Sequence, residues 1–450
     1  MKAKTSVDMT QGNILRHIIA FTLPLLAGNL FQQLYNMVDT WVLGNFVSNE
    51  AFSGVGSVTQ IVNTMISLFM GFSAGASVVI SQYFGAKDEK NVSRTVHTTI
   101  ACSLILGVVL SIVGVLLIPL LLRFMQVPSE VYPYSKSYLT IYFSGLLGLV
   151  IYNIGSAILR AVGDSTRPFY YLVVCALLNT VLDLLFVLKF GMGVEGVAYA
   201  TVIAQGLSAV LVLLTLFRSD SCVRLSLKKL RIAGDLLWKI VRIGFPSALQ
   251  MALTSFSNVF VHRYINFFGT DCISGYSAYH KIDQLIILPM QSVALASTTF
   301  MGQNLGYGDV ARAKRGVRTS LILAMLTTGV LMIPVMVFAP HTIAFFNNTP
   351  GVVKMGTTFL RCLTPFYLIC CINQIYIGAL RGAGDTKAPM IIMLTSFVAF
   401  RQAYLFVMAN FIVNEPLPIA LAYPMGWVLC SILAAIYYHK TDLSKTRITK

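Results

Sequence analysis

The sequence predicts an all-α polytopic membrane protein, with twelve transmembrane helices arranged as two pseudo-symmetric six-helix lobes. Three observations carry that expectation: apolar stretches of membrane length, a one-sided distribution of basic residues, and an internal repeat.

Of the 450 residues, 56% are hydrophobic and 11% charged, and the mean hydropathy is +0.75. A soluble chain of this length needs far more charge to cover its surface. Apolar stretches of about 20 residues, the thickness of a bilayer core, recur along the whole chain. Lipid offers backbone amides no partner, so such spans are helices or a closed barrel. Barrel strands alternate over about 10 residues, and these runs do not. The spans begin near Ile14, Ser53, Val92, Tyr132, Arg167, Gly193, Leu236, Ile273, Ala311, Val352, Lys387 and Leu417. Met1 to Gly12 is polar and does not read as a cleaved signal peptide. Most of the eight cysteines (Cys102, Cys175, Cys362, Cys370, Cys371 and Cys430) fall inside apolar spans, and Cys222 and Cys272 lie near span ends. None has a spacing suited to zinc or redox work, so they read as small buried residues.

The net charge of +16 raises a nucleic-acid partner, but its placement argues against one. On this twelve-span frame most of the 33 Lys and Arg residues lie on one side, in the N-terminus, the alternate loops, the 218–235 segment and the C-terminal tail. The opposite side has only Arg123, Lys136, Lys189, Arg263, Lys354 and Arg361, while Lys281 and Arg401 fall within spans. This is the positive-inside pattern, and it predicts a bacterial inner-membrane protein with both termini in the cytoplasm.

Self-similarity appears at a separation of about 221 residues. Leu159-Arg160-Ala161-Val162-Gly163-Asp164-Ser165-Thr166-Arg167-Pro168 returns as Leu380-Arg381-Gly382-Ala383-Gly384-Asp385-Thr386-Lys387-Ala388-Pro389. Ser81-Gln82-Tyr83-Phe84-Gly85 is echoed by Gly302-Gln303-Asn304-Leu305-Gly306, Asp88 and Arg94 by Asp309 and Arg315, Pro24 by Pro246, and Asn36 by Asn258. An offset that carries six spans gives both halves the same orientation. The expected lobes are 1–217 and 236–450, joined by a basic linker at 218–235. Duplication also occurs in channels and membrane enzymes, but two parallel lobes with a cleft between them favour alternating access. In the repeated R-x-x-G-D-[ST]-x-x-P loop, Gly ends one helix, Asp or Ser/Thr can cap the next, and Pro suits its first turn. Arg and Asp there can pair at the surface, which makes the loop structural or gating.

Charge inside a span is costly, so each case is a functional candidate. Asp39 lies about seven residues inside the outer end of the first span, roughly 10 Å deep at about 1.5 Å per residue. Asp183 in span five and Thr201 in span six reach a similar depth. Asn179 precedes Asp183 by one turn, as Tyr35 precedes Asp39. Such oxygen ligands suit either a proton shared between acids or a hard cation such as Na+, in which case Asp39, Asp183, Asn179 and Thr201 would hold the ion. The plainer alternative is that each acid is satisfied by its own local partner. Pro24 removes a helical hydrogen bond fifteen residues before Asp39, making a bend point that is either static or charge-driven, and Pro246 stands at the matching place. In the second half, Asp283 has His280 and Lys281 nearby and Arg401 at comparable depth. A buried Asp283–Arg401 or Asp283–Lys281 pair would suffice structurally; a direct role in handling substrate or ion is the alternative. Some of the many Met and Phe side chains could line an adaptable cleft.

These features together resemble the multidrug and toxic compound extrusion (MATE) family over about residues 13–440. The residues that carry the resemblance are Pro24 and Asp39 in span one, the Q-x-x-G turns at Gln82 and Gln303, and the paired R-x-x-G-D loops. Tyr35 and Asp39 with Asn179, Asp183 and Thr201 are similar to the N-lobe cation site of the DinF-type branch. That resemblance implies Asp39 and Asp183 as coupling carboxylates and Asn179 and Thr201 as neutral ligands. It also implies a substrate cavity bordered by Tyr35, Asn36 and Asn153, to which Asp283 is added from the residues alone. The NorM-type branch uses further acids in spans seven and ten, where this chain reads Asn258-Val259-Phe260-Val261 and Asn373-Gln374-Ile375. The resemblance implies a monomeric secondary antiporter that meets membrane lipids. It would need no cofactor beyond a coupling H+ or Na+, and would export amphipathic small molecules of cationic or aromatic character. A lipid or polysaccharide flippase would favour a more cationic cleft, and a channel or receptor would show no exchange. No nucleophile–base pair marks an enzyme.

Overall fold

The computed structural model describes residues 6–47, 49–125 and 127–448, and among them there are helices and no strand. In chain order the first helices are α1 Ile14–Phe46, α2 Asn49–Gly85, α3 Glu89–Phe124, α4 Tyr132–Ser144 and α5 Leu146–Ala161. Next come α6 Thr166–Leu184, extended by a π turn Leu185–Lys189, then α7 Gly193–Arg218 and α8 Gly234–Asn266. After these come α9 Thr270–Tyr307, α10 Val310–Val337, a short α11 Ala339–Ala344, α12 Pro350–Leu363 and α13 Tyr367–Gly382. The chain ends with α14 Lys387–Leu394, α15 Arg401–Val407, α16 Pro416–Ala420 and α17 Ala422–Lys440.

Nine helical stretches of the described residues are long and apolar enough to cross a bilayer, and the α4–α5 pair, bent by 49°, makes a tenth. α2, of 37 residues, and α8, of 33, bring the membrane-length segments among the described residues to the expected twelve. Expected starts at Ile14, Tyr132, Gly193 and Lys387 coincide with the observed ones. The bend between α4 and α5 falls at Gly145, where a Cβ would stand 2.2 Å from a methyl of Val202. Only a residue without a side chain lets α7 approach there.

The chain divides into two compact units: Met1–Asp8 with Leu23–Phe245, and Met9–Thr22 with Pro246–Lys450. In the first, α5 is the central helix, packed on α2, α3 and α7, with most of its residues buried. In the second, α9 is central, packed on α10, α12 and α13. The basic segment after α7 is folded onto the first unit. The backbone N–H of Ser226 donates to His97 Nε2 at 3.0 Å, and that of Ala233 to Thr98 Oγ1 at 3.1 Å.

The repeat is visible in backbone detail. Asp88 caps α3 through the N–H of Asn91 at 3.0 Å, and Asp309 caps α10 through the N–H of Arg312 at 2.7 Å. In the first R-x-x-G-D loop, Gly163 has φ +88° and donates to Arg160 O; in the second, Gly384 has φ +93° and donates to Arg381 O. Asp164 N–H bonds Leu159 O, and Asp385 N–H bonds Leu380 O. Of the residues that could cap the following helix, Asp is the one that does: Asp164 Oδ1 accepts from Thr166 and Arg167, and Asp385 Oδ1 from Ala388. The arginine–aspartate pairing is less regular. Asp164 meets Arg167 at 3.5 Å, whereas Asp385 accepts from Tyr437 at 2.7 Å and Arg381 turns to Gln250.

Pro24 and Pro246 both lie inside continuous helices, α1 and α8. The boundaries of the two units fall beside them, between Thr22 and Leu23 and between Phe245 and Pro246. A proline has no N–H to donate, so one rung of the helical ladder is missing at each crossing.

Candidate functional site

The first unit gathers most of the sequence-derived candidates. Tyr35, Asn36 and Asp39 project from α1, Asn179 and Asp183 from α6, Thr201 from α7 and Asn153 from α5. Asp183 sits two residues before the π turn that ends α6, where the widened helix alters side-chain direction.

The carboxyl groups of Asp39 and Asp183 face one another as a direct side-chain pair. Asp183 is wholly buried, and neither of its carboxylate oxygens has a hydrogen-bond partner among the described residues. Asp39 Oδ1 is in the same condition, and so are both amide atoms of Asn179, which is 2% exposed. No Lys, Arg or His is paired with either acid among the described residues. Two like charges about 4 Å apart at an effective dielectric near 20 repel by about 4 kcal/mol, before any cost of burial. A proton or a small cation between the two carboxylates would relieve that repulsion.

Three phenols lie near this pair. Tyr35 lies within electrostatic range of Asp39, Tyr138 and Tyr142, and Tyr138 within range of both acids. Tyr138 and Tyr142 stack at 5.9 Å along α4, and Tyr142 reaches Gln205 on α7. Tyr138, Tyr142 and Gln205 are not among the candidates the sequence singles out. Their only signal was polar residues in apolar spans, and their convergence depends on how α4 and α7 pack.

The remaining first-unit candidates are more loosely engaged. Thr201 is buried and spends its hydroxyl proton on Val197 O at 2.9 Å, which leaves only its oxygen lone pairs to offer a ligand. Asn153 donates to Leu149 O in its own helix at 2.9 Å. Asn36 is exposed on α1. Among the described residues no cluster of three or more His, Cys, Asp or Glu is arranged to hold a metal. A cation here would therefore rest on two carboxylates and neutral oxygens, a donor set suited to a hard ion.

The repeat does not copy this site. At the same offsets the second unit has Val261 for Asp39 and Tyr404 for Asp183, and Tyr404 donates to Pro418 O at 3.1 Å.

The second unit has its own polar centre, and it corrects one expectation. Asp283, 6% exposed, is paired with neither Arg401 nor Lys281. Its carboxylate accepts from the Tyr367 hydroxyl and meets His280 Nδ1 at 3.2 Å, and Tyr279 approaches Tyr367 at 3.1 Å. Arg401 instead lies 4.9 Å over the Tyr423 ring and 5.9 Å from Phe397, and Lys281 is 5.3 Å from Phe346. Rings take up the cations through their π faces, so the carboxylate is left to phenol and imidazole donors. Asp283 is thus supplied with donors where Asp183 is not. Because Asp283 belongs to the second unit, it does not share a unit with Tyr35, Asn36 and Asn153.

The MatE family model matches residues 24–185 and 246–403, one stretch in each half. A probable multidrug resistance protein YpnP of Bacillus subtilis is 28% identical over 435 residues, covering 96% of this chain and 96% of that one. A probable multidrug resistance protein NorM of Thermotoga maritima is 28% identical over 403 residues, covering 88% and 86%. Among solved structures, the outward-facing conformation of a multidrug resistance MATE family transporter superposes with a TM-score of 0.92 at 23% identity, over 99% of this chain and all of that one.

Proposed function

Because this chain belongs to the MatE family, we propose that it is a secondary antiporter that exports amphipathic small molecules in exchange for inward H+ or Na+. The observation that carries the proposal is the facing pair Asp39 and Asp183, in which Asp183 is wholly buried and neither of its oxygens has a donor among the described residues. A site that is stable only with a proton or cation in place is a site whose occupancy can drive a change of shape. The relatives named as multidrug resistance proteins support small-molecule cargo.

In this reading the ion enters from outside and sits between Asp39 and Asp183. Asn179 and Thr201 offer further oxygens if it is Na+, and the phenols of Tyr35, Tyr138 and Tyr142 limit water. Tyr35, Asn36 and Asn153 border the cargo cavity. Ion binding removes the repulsion between α1 and α6. The resulting movement of α1 is taken up where the helix passes Pro24, and Pro246 serves the corresponding crossing in α8. The first lobe couples the ion and the second mainly helps to enclose cargo. The basic loops face the cytoplasm of a bacterial cell, with both termini on that side.

Reconstituted efflux of a fluorescent amphipathic cation, driven separately by a pH gradient and by a sodium gradient, tests this. One gradient should accelerate efflux at least about tenfold over no gradient, and Asp39→Asn should abolish that acceleration while expression stays normal. Undiminished coupled efflux by Asp39→Asn would falsify the assignment.

A further inference from the structure

The segment that follows α7 forms part of a cavity in the first unit that the transport reading does not use. Its volume is about 340 Å3, within the range of ligand pockets. From α3 it is lined by Arg94, His97 and Thr98, and from the segment by Lys228, Lys229 and Arg231. A neighbouring open cavity of about 830 Å3 shares Lys228 and Lys229 and adds Lys90, Arg224 and one acid, Glu89.

These charges are not equally committed. Arg94 is held by Asp235 at 3.1 Å and by Asn91 at 3.0 Å. His97 is fully engaged: Nδ1 lies 2.7 Å from Ser93 O, and Nε2 accepts from Ser226 N–H. Thr98 accepts from Ala233 N–H. Together these bonds fix the segment against α3, so the cavity has a rigid floor. Lys228, Lys229 and Arg231 have no acidic partner among the described residues, and all three are exposed. One side of the cavity is thus committed to holding the segment in place, and the other presents three free cations at its mouth.

The same segment exposes large apolar side chains on either side of those cations: Leu227 at 72%, Ile232 at 44% and, at the start of α8, Trp238 at 66%. Trp and aliphatic side chains beside Lys and Arg mark the interfacial layer of a bilayer, and basic pockets there take anionic headgroups. One-sided charge alone accounts for basic residues in this loop. It does not account for their convergence on a braced cavity flanked by exposed apolar residues.

We propose that this cavity binds a phosphate-bearing anion through Lys228, Lys229 and Arg231, and that its source is the headgroup of an anionic lipid in the adjoining leaflet. Arg94 closes the back of the site, and Leu227, Ile232 and Trp238 lie against the acyl chains.

Native mass spectrometry of the full-length protein in detergent tests this, with phosphatidylglycerol and phosphatidylcholine as lipid probes and inorganic phosphate as the soluble probe. The first adduct of phosphatidylglycerol should form preferentially over phosphatidylcholine. The triple variant Lys228→Ala, Lys229→Ala, Arg231→Ala should weaken it by at least about tenfold. The milder pair Lys228→Gln and Lys229→Gln gives the same reading if the triple variant folds poorly. A variant with equal charge loss elsewhere, Lys314→Ala, Arg315→Ala, Lys440→Ala, should retain the adduct. Adducts of inorganic phosphate that displace the lipid and vanish in the triple variant would keep the anion site and assign it to a soluble source. Equal weakening in both triple variants, or no preference for either anion over phosphatidylcholine, overturns the proposal.

Discussion

Asp39 on α1 and Asp183 on α6 point their carboxyl groups at each other, and no donor among the described residues satisfies the oxygens of Asp183. A structural carboxylate is ordinarily surrounded by donors, as Asp283 is by Tyr367 and His280.

Asp183→Asn replaces one charge of the unbalanced pair with a neutral group that can donate to Asp39. Removing a buried like-charge contact relieves repulsion, so the melting temperature of the purified protein should stay level or rise by a few degrees. Ion-driven efflux in proteoliposomes should fall at least about tenfold. A marked drop in melting temperature would show that Asp183 serves the fold and not the ion.

Tyr367→Phe removes a hydroxyl from Asp283 and leaves a buried carboxylate short of a donor. The expected cost is about 1–3 kcal/mol of stability. Combined with Asp283→Asn, the two changes should be less than additive, with a coupling above about 0.5 kcal/mol. Strict additivity in chemical or thermal unfolding would mean that the two side chains do not act together.

The two repeated loops supply a matched comparison. Gly163→Ala and Gly384→Ala both force a side chain into positive φ, at roughly 1–3 kcal/mol each. At Gly163 the new Cβ would also stand 2.3 Å from the carbonyl oxygen of Val7, which is backbone. At Gly384 it meets the Ile448 side chain at 3.1 Å, which can move aside, and the carbonyl oxygen of Thr446 only at 3.2 Å. Gly163→Ala should therefore lower the melting temperature more. Equal losses would show that the contact of Val7 with the loop contributes nothing.

Cys222 lies outside the membrane-length helices, and its thiol is pushed up to about 11, first by burial and then by Glu89, with Lys87 opposing. The reactive species is the thiolate, so alkylation by N-ethylmaleimide at pH 8 should run roughly a hundredfold slower than for an ordinary thiol. Its rate should climb about tenfold per pH unit until that value is reached. Glu89→Gln should speed labelling several-fold at fixed pH. Peptide-level mass spectrometry resolves Cys222 from the other cysteines, and fast labelling in the native protein would contradict this description of its surroundings.

Much of the fold was legible because membrane spans obey a one-dimensional rule. Apolar length and basic flanks located Ile14, Tyr132, Gly193 and Lys387 as helix starts without knowledge of any neighbour. The repeat was equally local: an Asp that caps at position 88 caps again at 309 because the same short pattern folds the same way. Depth along the helix was enough to suggest that Asp39 and Asp183 belong together. Rotation about the helix axis was not legible. The sequence could not reveal that Tyr138 and Tyr142 lie near the acids, or that Asp283 turns to a phenol 84 residues away in sequence and not to Arg401. It was likewise silent on the π turn beside Asp183, which shifts the register of everything after it.

The division of the chain inside α1 and α8 bears on how the protein is made. The first unit is complete once residue 245 has been synthesised, although a stretch near its beginning, Met9–Thr22, belongs to the other unit. That stretch is among the earliest to leave the ribosome, whereas Gln303, Asn304 and Arg312, which bond Met9, follow only after the whole first unit. Until they arrive it must be tolerated without them, or held by the insertion machinery. A gene cut in the loop before α8 would not yield two self-sufficient halves, because each product would lack a piece of helix that its unit borrows from the other.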